Sequence, residues 1–580
     1  LYRQFAVTIC VSVIISAICA LTLSPALCAT LFTSEIHLHQ KGPFALFNKF
    51  LSLSRRGYVA AAGWLLRKLI ILGVMFLLVV GSSFLLFRSI PRSFLPLEDQ
   101  GYFFIDFQLP EGASQARTME VLKKIGAEMK KMEGIEDVIT VSGYSIFSGI
   151  APNVGFGLAN LKDWDQRKRP DLHLRALVRK TQIKLMALPY VNAFAFSPPA
   201  ILGLGTTGGF DFRLEAREGQ SPRELAAAAR ALVVAANKDP RLTRVFTTFR
   251  ADTPQFYVNL DRTKAEYFGV PVSRVFSTLQ AYLGSAYVND FNLFQRTYQV
   301  KVQAQAPFRN DLSDIRHLYV RNNQGKMVLL SSVASISTVL GPKVVHRYNQ
   351  FPSVQINGQA APGHSSGEAM AIMEKLAARV LPSGFGYEWS SSSFQQKKSR
   401  GQVQVLFILA LVFAYLFLVG QYESWILPLP IILYIPVAAL GALLGLWVTG
   451  LSFSIYAQIG LVMLVGLASK NAILMVEFSR DRHREGLSIE EAALEGARTR
   501  FRPVLMTAFT FILGVAPLVI ATGAGAMSRR HIGTTVFSGM LVATTLGILL
   551  VPGLYYVLQS LGERKWTIPR TKRKRDNEGD

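Results

Sequence analysis

IYAQIGLVMLVGLASKNAILMVEFSR, residues 455–480, is the stretch on which the reading of the chain turns. It is apolar and long enough to cross a bilayer as a helix, which takes about 20 residues. Inside it sit Lys470 and Asn471. A charged amine at that depth costs about 2.5–3.5 kcal/mol on insertion scales, so it is expected to face the bundle interior and a partner. Glu477 lies about two turns further on, on the same face but too far for a direct bond. Two readings are open. Lys470 snorkels toward the charged stretch after Arg480, or it is an ion-handling lysine that answers to a neighbouring carboxylate.

The chain has 580 residues, 50% of them hydrophobic, and a formal charge of +24. Length alone suggests several soluble domains, but the apolar runs predict a polytopic α-helical membrane protein with a large soluble insert. Such a charge invites a nucleic-acid reading. Basic residues gathered on one side of a membrane explain it better, so no nucleic-acid partner is expected. Cys10, Cys19 and Cys28 fall in one apolar helix on alternating faces, which suits neither a disulfide nor a metal cluster. The chain opens on Leu1 and enters a span almost at once, as a piece of a longer protein would.

Spans are expected near 5–31, 68–87, 402–420, 425–448, 455–479, 503–522 and 533–558. Between the first two, 42–68 is amphipathic and expected to lie along the membrane surface. Lys41, Lys49, Arg55, Arg56 and Arg67 place that region in the cytoplasm. The arginine-rich loop 480–502 and the basic C-terminal tail fall on the same side, the tail near anionic lipid. The segment between the second and third spans falls opposite, in the periplasm of a Gram-negative cell. It reads β-α-β-β-α-β from GYFFIDFQLP (101–110) to VNAFAFS (191–197), a ferredoxin-like order. A second round starts with GFDFRLEA, PRELAAAARALVVAANKD, LTRVFTTFR and PQFYVNLDR. It finishes with SVQINGQA, SSGEAMAIMEKLAARVL and GYEWS, around an inserted module near 252–342.

Arg500 and Thr507 are seven apart and share a helix face, so they could line a wet track with Lys470. The plainer reading makes Arg500 one more inside-positive charge and has Thr507 bond back to its own helix. In the insert, Phe194 and Phe196 are i, i+2 on a strand and point to one face. GYSIFSGIAPNVGFG (143–157) reads as a loop at once glycine-rich, apolar and aromatic, able to move and to suit varied ligands. The plainer reading puts these rings in a sheet core. No zinc spacing, Walker loop or nucleophile elbow is present. GLGTTGG (203–209) precedes a strand rather than a helix, so its phosphate-loop reading is weak. An energy source other than bound nucleotide is implied.

Five stretches in order carry a resemblance: FLPLEDQGYFFIDFQLPEGAS (94–114), YVNDFNLFQRTYQV (287–300), YESWILPLP (422–430), GLASKNAILMVEFSRD (466–481) and RTRFRPVLMTAFTFILGVAPL (498–518). Together they resemble the resistance-nodulation-division superfamily, nearest its hydrophobe–amphiphile efflux branch of AcrB- and MexB-like multidrug pumps. The likeness runs from that family's sixth span to its C-terminus. It implies 1–97 as spans six and seven with a cytoplasmic amphipathic helix, and 98–207 as a first porter subdomain. The second porter subdomain would be 208–251 with 343–391, around a funnel or docking subdomain, 252–342. Spans eight to twelve would fill 392–562 and a basic cytoplasmic tail 563–580.

The resemblance implies a drug/proton antiporter, not an enzyme, driven by the proton gradient without a cofactor. It would be a homotrimer in the inner membrane, joined to a periplasmic adaptor and an outer-membrane channel, exporting amphiphilic drugs, dyes or detergents. Lys470, Arg500 and Thr507 match the proton relay, whose aspartate pair belongs to the family's other half. Phe194 and Phe196 match drug-pocket phenylalanines. Ile139, Tyr144, Ile146 and Leu158 stand where well-known members have aromatic residues, with Phe147 and Phe156 nearby as substitutes. Gly143, Gly149, Gly155 and Gly157 match the switch loop; Asn289, Asp290, Phe291 and Arg296 match the docking hairpin. The rivals are a heavy-metal exporter of the same superfamily and a protein-export accessory or membrane scaffold. The first needs pocket-facing methionine pairs, whereas Met119, Met129, Met132 and Met186 fall on amphipathic helices.

Overall fold

The computed structural model describes residues 2–31, 43–189, 191–399 and 402–564. Among them, seven helical stretches are long and apolar enough to span a membrane: Arg3–Leu31, Leu69–Ser89, Val405–Tyr422, Leu429–Val448, Ile455–Arg484, Ile489–Val519 and Ala526–Glu563. Lys41 and the tail after Arg564 lie outside the described residues.

The first stretch breaks between Leu21 and Leu23. Pro25 has no N–H to give the Leu21 carbonyl and its ring crowds that oxygen. The centre of the bundle is Leu429–Val448, Ile455–Arg484, Ile489–Val519 and Ala526–Val542, where Tyr434, Ala468, Ala472, Met475, Phe501 and Val504 are buried together. Small residues let the backbones approach. A Cβ on Gly441 would stand 2.5 Å from the Ser538 carbonyl. The last span changes winding over Ala543–Gly547, a π turn. There the Tyr434 hydroxyl donates to the Ala543 carbonyl at 2.7 Å.

The expected arginine-rich loop 480–502 is mostly helix. Ile455–Arg484 runs past the apolar run, and the next helix begins at Ile489 rather than near 503. A capping box explains the early start. Ser488 Oγ accepts from Glu491 N at 3.3 Å, and the Glu491 carboxylate accepts from Ser488 N at 3.2 Å. The amphipathic helix Pro43–Arg67 packs on this end of the bundle. The Tyr58 ring stacks on Phe501 at 4.7 Å, and its hydroxyl donates to the Ile548 carbonyl at 2.9 Å.

The α/β region holds two similar units. In the first, β1 (Tyr102–Gln108), β2 (Ile135–Ser145), β3 (Gly149–Leu161) and β4 (Asn192–Phe196) form one antiparallel sheet in the order β2-β3-β1-β4. Helices Gln115–Lys130 and Leu174–Met186 cover one face, burying Phe103, Ile105 and Phe107 against Leu122, Ile125 and Leu177. Ser114 caps the first of them, accepting from Arg117 N at 3.3 Å. In the second unit, β5 (Phe210–Ala216) and β6 (Leu242–Phe246) join Phe351–Ala360 and Phe385–Trp389. Phe351–Ala360 pairs with both β5 and β6, and Phe385–Trp389 pairs with β5. PQFYVNLDR is not part of this second sheet. Thr253–Leu260 pairs with Ala334–Gly341 in the insertion, which has its own small core around Val275, Val320 and Val333.

Candidate functional site

Sheet alternation sorts the first unit's residues before any tertiary contact is considered. Phe103, Ile105 and Phe107 point to the helices, so Phe104 and Asp106 point away. Register then brings predicted residues onto that second face. Phe104 pairs with Leu158 and Phe196, Asp106 pairs with Phe156 and Phe194, and Ile139 pairs with Leu158. The rings are therefore not the helix-packed core of the plainer reading.

They form a connected aromatic surface. Phe104 lies 5.2 Å from Phe156 and 5.9 Å from Phe196, ring centre to ring centre, and Tyr144 lies 6.2 Å from Phe156. Phe147 meets Phe196 at 5.2 Å and Phe246 at 5.3 Å, and Phe246 stacks on Phe194 at 4.4 Å. Sequence reasoning missed Phe104, although the alternation in GYFFIDFQLP points to it. It also missed Phe246, which arrives from the second unit on β6 and leaves no local signal.

The stretch 143–157 is not a loop but a hairpin, β2 and β3 joined by a turn at Ile146–Phe147–Ser148. Gly143 and Gly149 have positive φ, +87° and +74°. Gly155 and Gly157 lie within β3, where a Cβ would come 2.6 Å from Leu122 and 3.0 Å from Phe107. The bare Gly155 seats the helix on the sheet, and Gly157 leaves room for the Phe107 ring of β1. Asp106, also missed, holds the turn from beneath. Its Oδ1 accepts from Ser145 Oγ at 2.7 Å and from Ile146 N at 3.1 Å, while Ser145 Oγ accepts from Phe147 N and Ser148 N. Burial pushes this carboxyl up to about 7, against the pull of those two bonds.

In the membrane, Lys470, Asn471 and Thr507 line one groove of about 620 Å³ with Leu467, Met506 and Phe511. Lys470 is exposed in this chain and has neither hydrogen bond nor ion pair among the described residues. Thr507 Oγ1 donates to the Val504 carbonyl at 3.0 Å, the back-bond of the plainer reading. Arg500 stands outside the groove. Its guanidinium covers the Phe478 ring at 4.8 Å, and Nε has no partner among the described residues. Asn471 is buried with its Nδ2 unpartnered.

Asn289, Asp290 and Phe291 lie on strand Ala286–Leu293 and Arg296 on Arg296–Val302, a two-stranded hairpin exposed from Tyr287 to Val302. Phe294 and Gln295 turn it with φ of +47° and +61°. Phe291 stacks across on Tyr298 at 5.6 Å. Of the four methionines, Met129 and Met132 are buried in the helix-facing core and Met119 and Met186 are exposed on helices. None lies on the aromatic face.

Glu98 ties the two regions together. It follows the span Leu69–Ser89, and its carboxylate accepts from Met527 N at 3.0 Å and Ser528 N at 2.7 Å, at the start of helix Ala526–Val542. A carboxylate at a helix N-terminus satisfies free N–H groups and opposes the helix dipole.

Comparison with known proteins matches residues 1–559 to the AcrB/AcrD/AcrF family model. The toluene efflux pump membrane transporter TtgB of Pseudomonas putida is 38% identical over 567 residues, covering 97% of this chain and 54% of that protein. The multidrug export protein AcrF of Escherichia coli is 39% identical over 566 residues, covering 96% and 54%. The multidrug resistance protein MdtF of the same species is 39% identical over 570 residues, covering 97% and 55%. The chain thus spans about half the length of the curated relatives it matches. The chain belongs to the AcrB/AcrD/AcrF family.

Proposed function

We propose that this chain is part of a proton-driven efflux transporter that exports amphiphilic drugs, dyes or detergents from the periplasm and inner membrane. The observation that carries the reading is Lys470 sharing a groove with Thr507 and Asn471, without a counter-ion among the described residues. An ammonium within apolar helices is tolerated where it faces a partner or a wet cavity. The groove is where carboxylates from the rest of the transporter would enter. Protonating them loosens their hold on Lys470, and two helix arrangements exchange. The energy source is the proton gradient, with no cofactor, and Arg500 serves the cytoplasmic mouth of the route.

The sheet order β2-β3-β1-β4 with both helices on one face supports reading a split βαβ unit. We read 98–207 and 208–251 with 343–391 as two ferredoxin-like porter subdomains, and 252–342 as the docking subdomain. The rings around Phe194, Phe196, Phe147 and Phe156, with Ile139, Tyr144, Ile146 and Leu158, receive the drug. The β2–β3 hairpin, pinned by Asp106, is the switch element. The exposed hairpin bearing Phe291 enters a neighbouring protomer of a homotrimer. The trimer sits in the inner membrane with its C-terminus cytoplasmic, and works with a periplasmic adaptor and an outer-membrane channel.

The test is Lys470→Ala in the full-length transporter. Cells carrying it should lose drug export while the assembled transporter is still recovered from the membrane. Wild-type drug tolerance in that strain defeats the proposal.

A further inference from the structure

Helix Ala526–Val542 begins without a cap of its own. Gly525 holds the N-cap position with a φ of +67° and no side chain to offer, and no acidic residue stands in the first turn. The N–H groups of the second and third helical residues, here Met527 and Ser528, ordinarily bond an N-cap oxygen. The Glu98 carboxylate takes both instead, one on each oxygen, at 3.0 and 2.7 Å. Glu98 is buried, so water does not compete for these bonds. The cap therefore comes from outside the helix, from the segment that leads out of Leu69–Ser89 and into β1.

The next two residues hold the first α/β unit. Asp99 makes a two-pronged pair with Arg167, at 3.0 and 3.2 Å. That arginine is buried and also donates to the Lys162 and Leu172 carbonyls, just ahead of helix Leu174–Met186. Gln100 donates to the Pro199 and Ala200 carbonyls at 3.1 and 3.3 Å, beyond the end of β4. Three consecutive side chains thus fix one membrane helix and two points of the unit that carries Phe104, Phe194 and Phe196.

The same helix reaches the lysine groove further along. Met540 lines that groove with Lys470. The helix lies on Ile455–Arg484 without slack. A Cβ on Gly460 would stand 3.0 Å from Thr535, and one on Gly539 would run into Leu464. Elements packed this tightly shift as bodies rather than deform. A movement of the Lys470 helix therefore carries the Met527 and Ser528 N–H groups with it, and Glu98 hands that displacement to the strand entering the aromatic face.

We propose that Glu98 is a positioning residue of the transport cycle, whose cap on helix Ala526–Val542 passes rearrangement of the Lys470 groove to β1 and the β2–β3 hairpin. The inference rests on the efflux reading and assigns one step of it to a residue outside both sites.

Hydrogen exchange read by mass spectrometry on the purified full-length transporter tests the transmission without any transport. Lys470→Ala should change the exchange of β1 and of the β2–β3 hairpin. In a Glu98→Ala background the same replacement should change it about fivefold less, the low end of ordinary coupling between sites. An equal response with and without Glu98, or no response to Lys470→Ala in either background, overturns the proposal. A second arm separates joining from mere capping. Glu98→Ala/Ser528→Asp returns a carboxylate to the helix's own first turn but does not rejoin the segment. In proteoliposomes under a proton gradient, its ethidium turnover should stay about tenfold below wild type at unchanged KM, the rate cost of one lost charge-assisted bond. Turnover restored by that local carboxylate overturns the proposal. Should Glu98→Ala fail to assemble, Glu98→Gln, of the same shape but uncharged, replaces it in both arms. A failure of the efflux reading shows separately, as wild-type protein that moves no ethidium under the gradient, and the exchange measurement still decides on Glu98.

Discussion

A single buried carboxyl shows how much one position can hold. Asp106 sits among rings at 1% exposure, with both of its hydrogen bonds on Oδ1. Its ordinary value is 3.8 and burial lifts it to about 7. Between those values the folded protein keeps the proton and the unfolded chain has lost it. Stability therefore falls as pH rises from about 4 to about 7, and levels off above. Asp106→Asn keeps an acceptor for Ser145 Oγ and Ile146 N but cannot ionise. It should raise the thermal midpoint of the purified transporter at pH 8 and leave it near wild type at pH 4.5. Equal shifts at both values would show that ionisation of Asp106 carries no cost. Phe246 makes a second residue-level case, since it joins Phe194 and Phe147 across the units. Phe246→Ala should reduce drug export about as much as Phe194→Ala, read as dye accumulation in whole cells. Unchanged accumulation would remove Phe246 from the proposed drug-binding face.

At the scale of elements, the hairpin β2–β3 carries the clearest difference between expectation and outcome. A run of glycines with aromatic residues reads as a mobile loop, because glycine permits many backbone shapes. Gly155 is there for another reason, the close seat of helix Gln115–Lys130 on β3. Gly155→Ala should destabilise the unit by about 1–3 kcal/mol, because Leu122 must give way in a packed core. Leu122→Ala should absorb most of that cost, so the double variant should be less destabilised than the sum of the two single ones. Additive thermal shifts would mean that the Cβ and Leu122 do not meet. The arginine-rich stretch teaches the same lesson in the other direction. Its charges resemble a solvated loop, yet Ser488 and Glu491 cap a helix that carries them. Arg482 pairs with Glu485 at 2.6 Å and His483 with Glu563 at 2.7 Å.

On the scale of the whole molecule, large apolar surfaces lie uncovered. In the most apolar part of Arg3–Leu31 0% of the residues are buried, and in that of Val405–Tyr422 11%. Lipid or other helices suit such faces; water does not. The hairpin bearing Phe291 is likewise uncovered, and two strands alone are marginal in water. Its exposed Phe294 at the tip is suited to a partner's pocket. Phe294→Asp should shift the full-length transporter from the proposed trimer toward monomers in native mass spectrometry. An unchanged trimer fraction would move the assembly contact elsewhere.

Local patterns decided much of this protein. Seven apolar runs, the alternation of β1 and the cap at Ser114 all act over a few neighbouring residues, so they are legible along the chain. Hydrophobic burial within a helix or strand depends on period, and period is written in the sequence. The tertiary structure alone placed Phe246 against Phe194, set Gly155 under Leu122, and separated Arg500 from the Lys470 groove. Those pairings join residues far apart in sequence through packing and strand register, and no neighbouring residue records them.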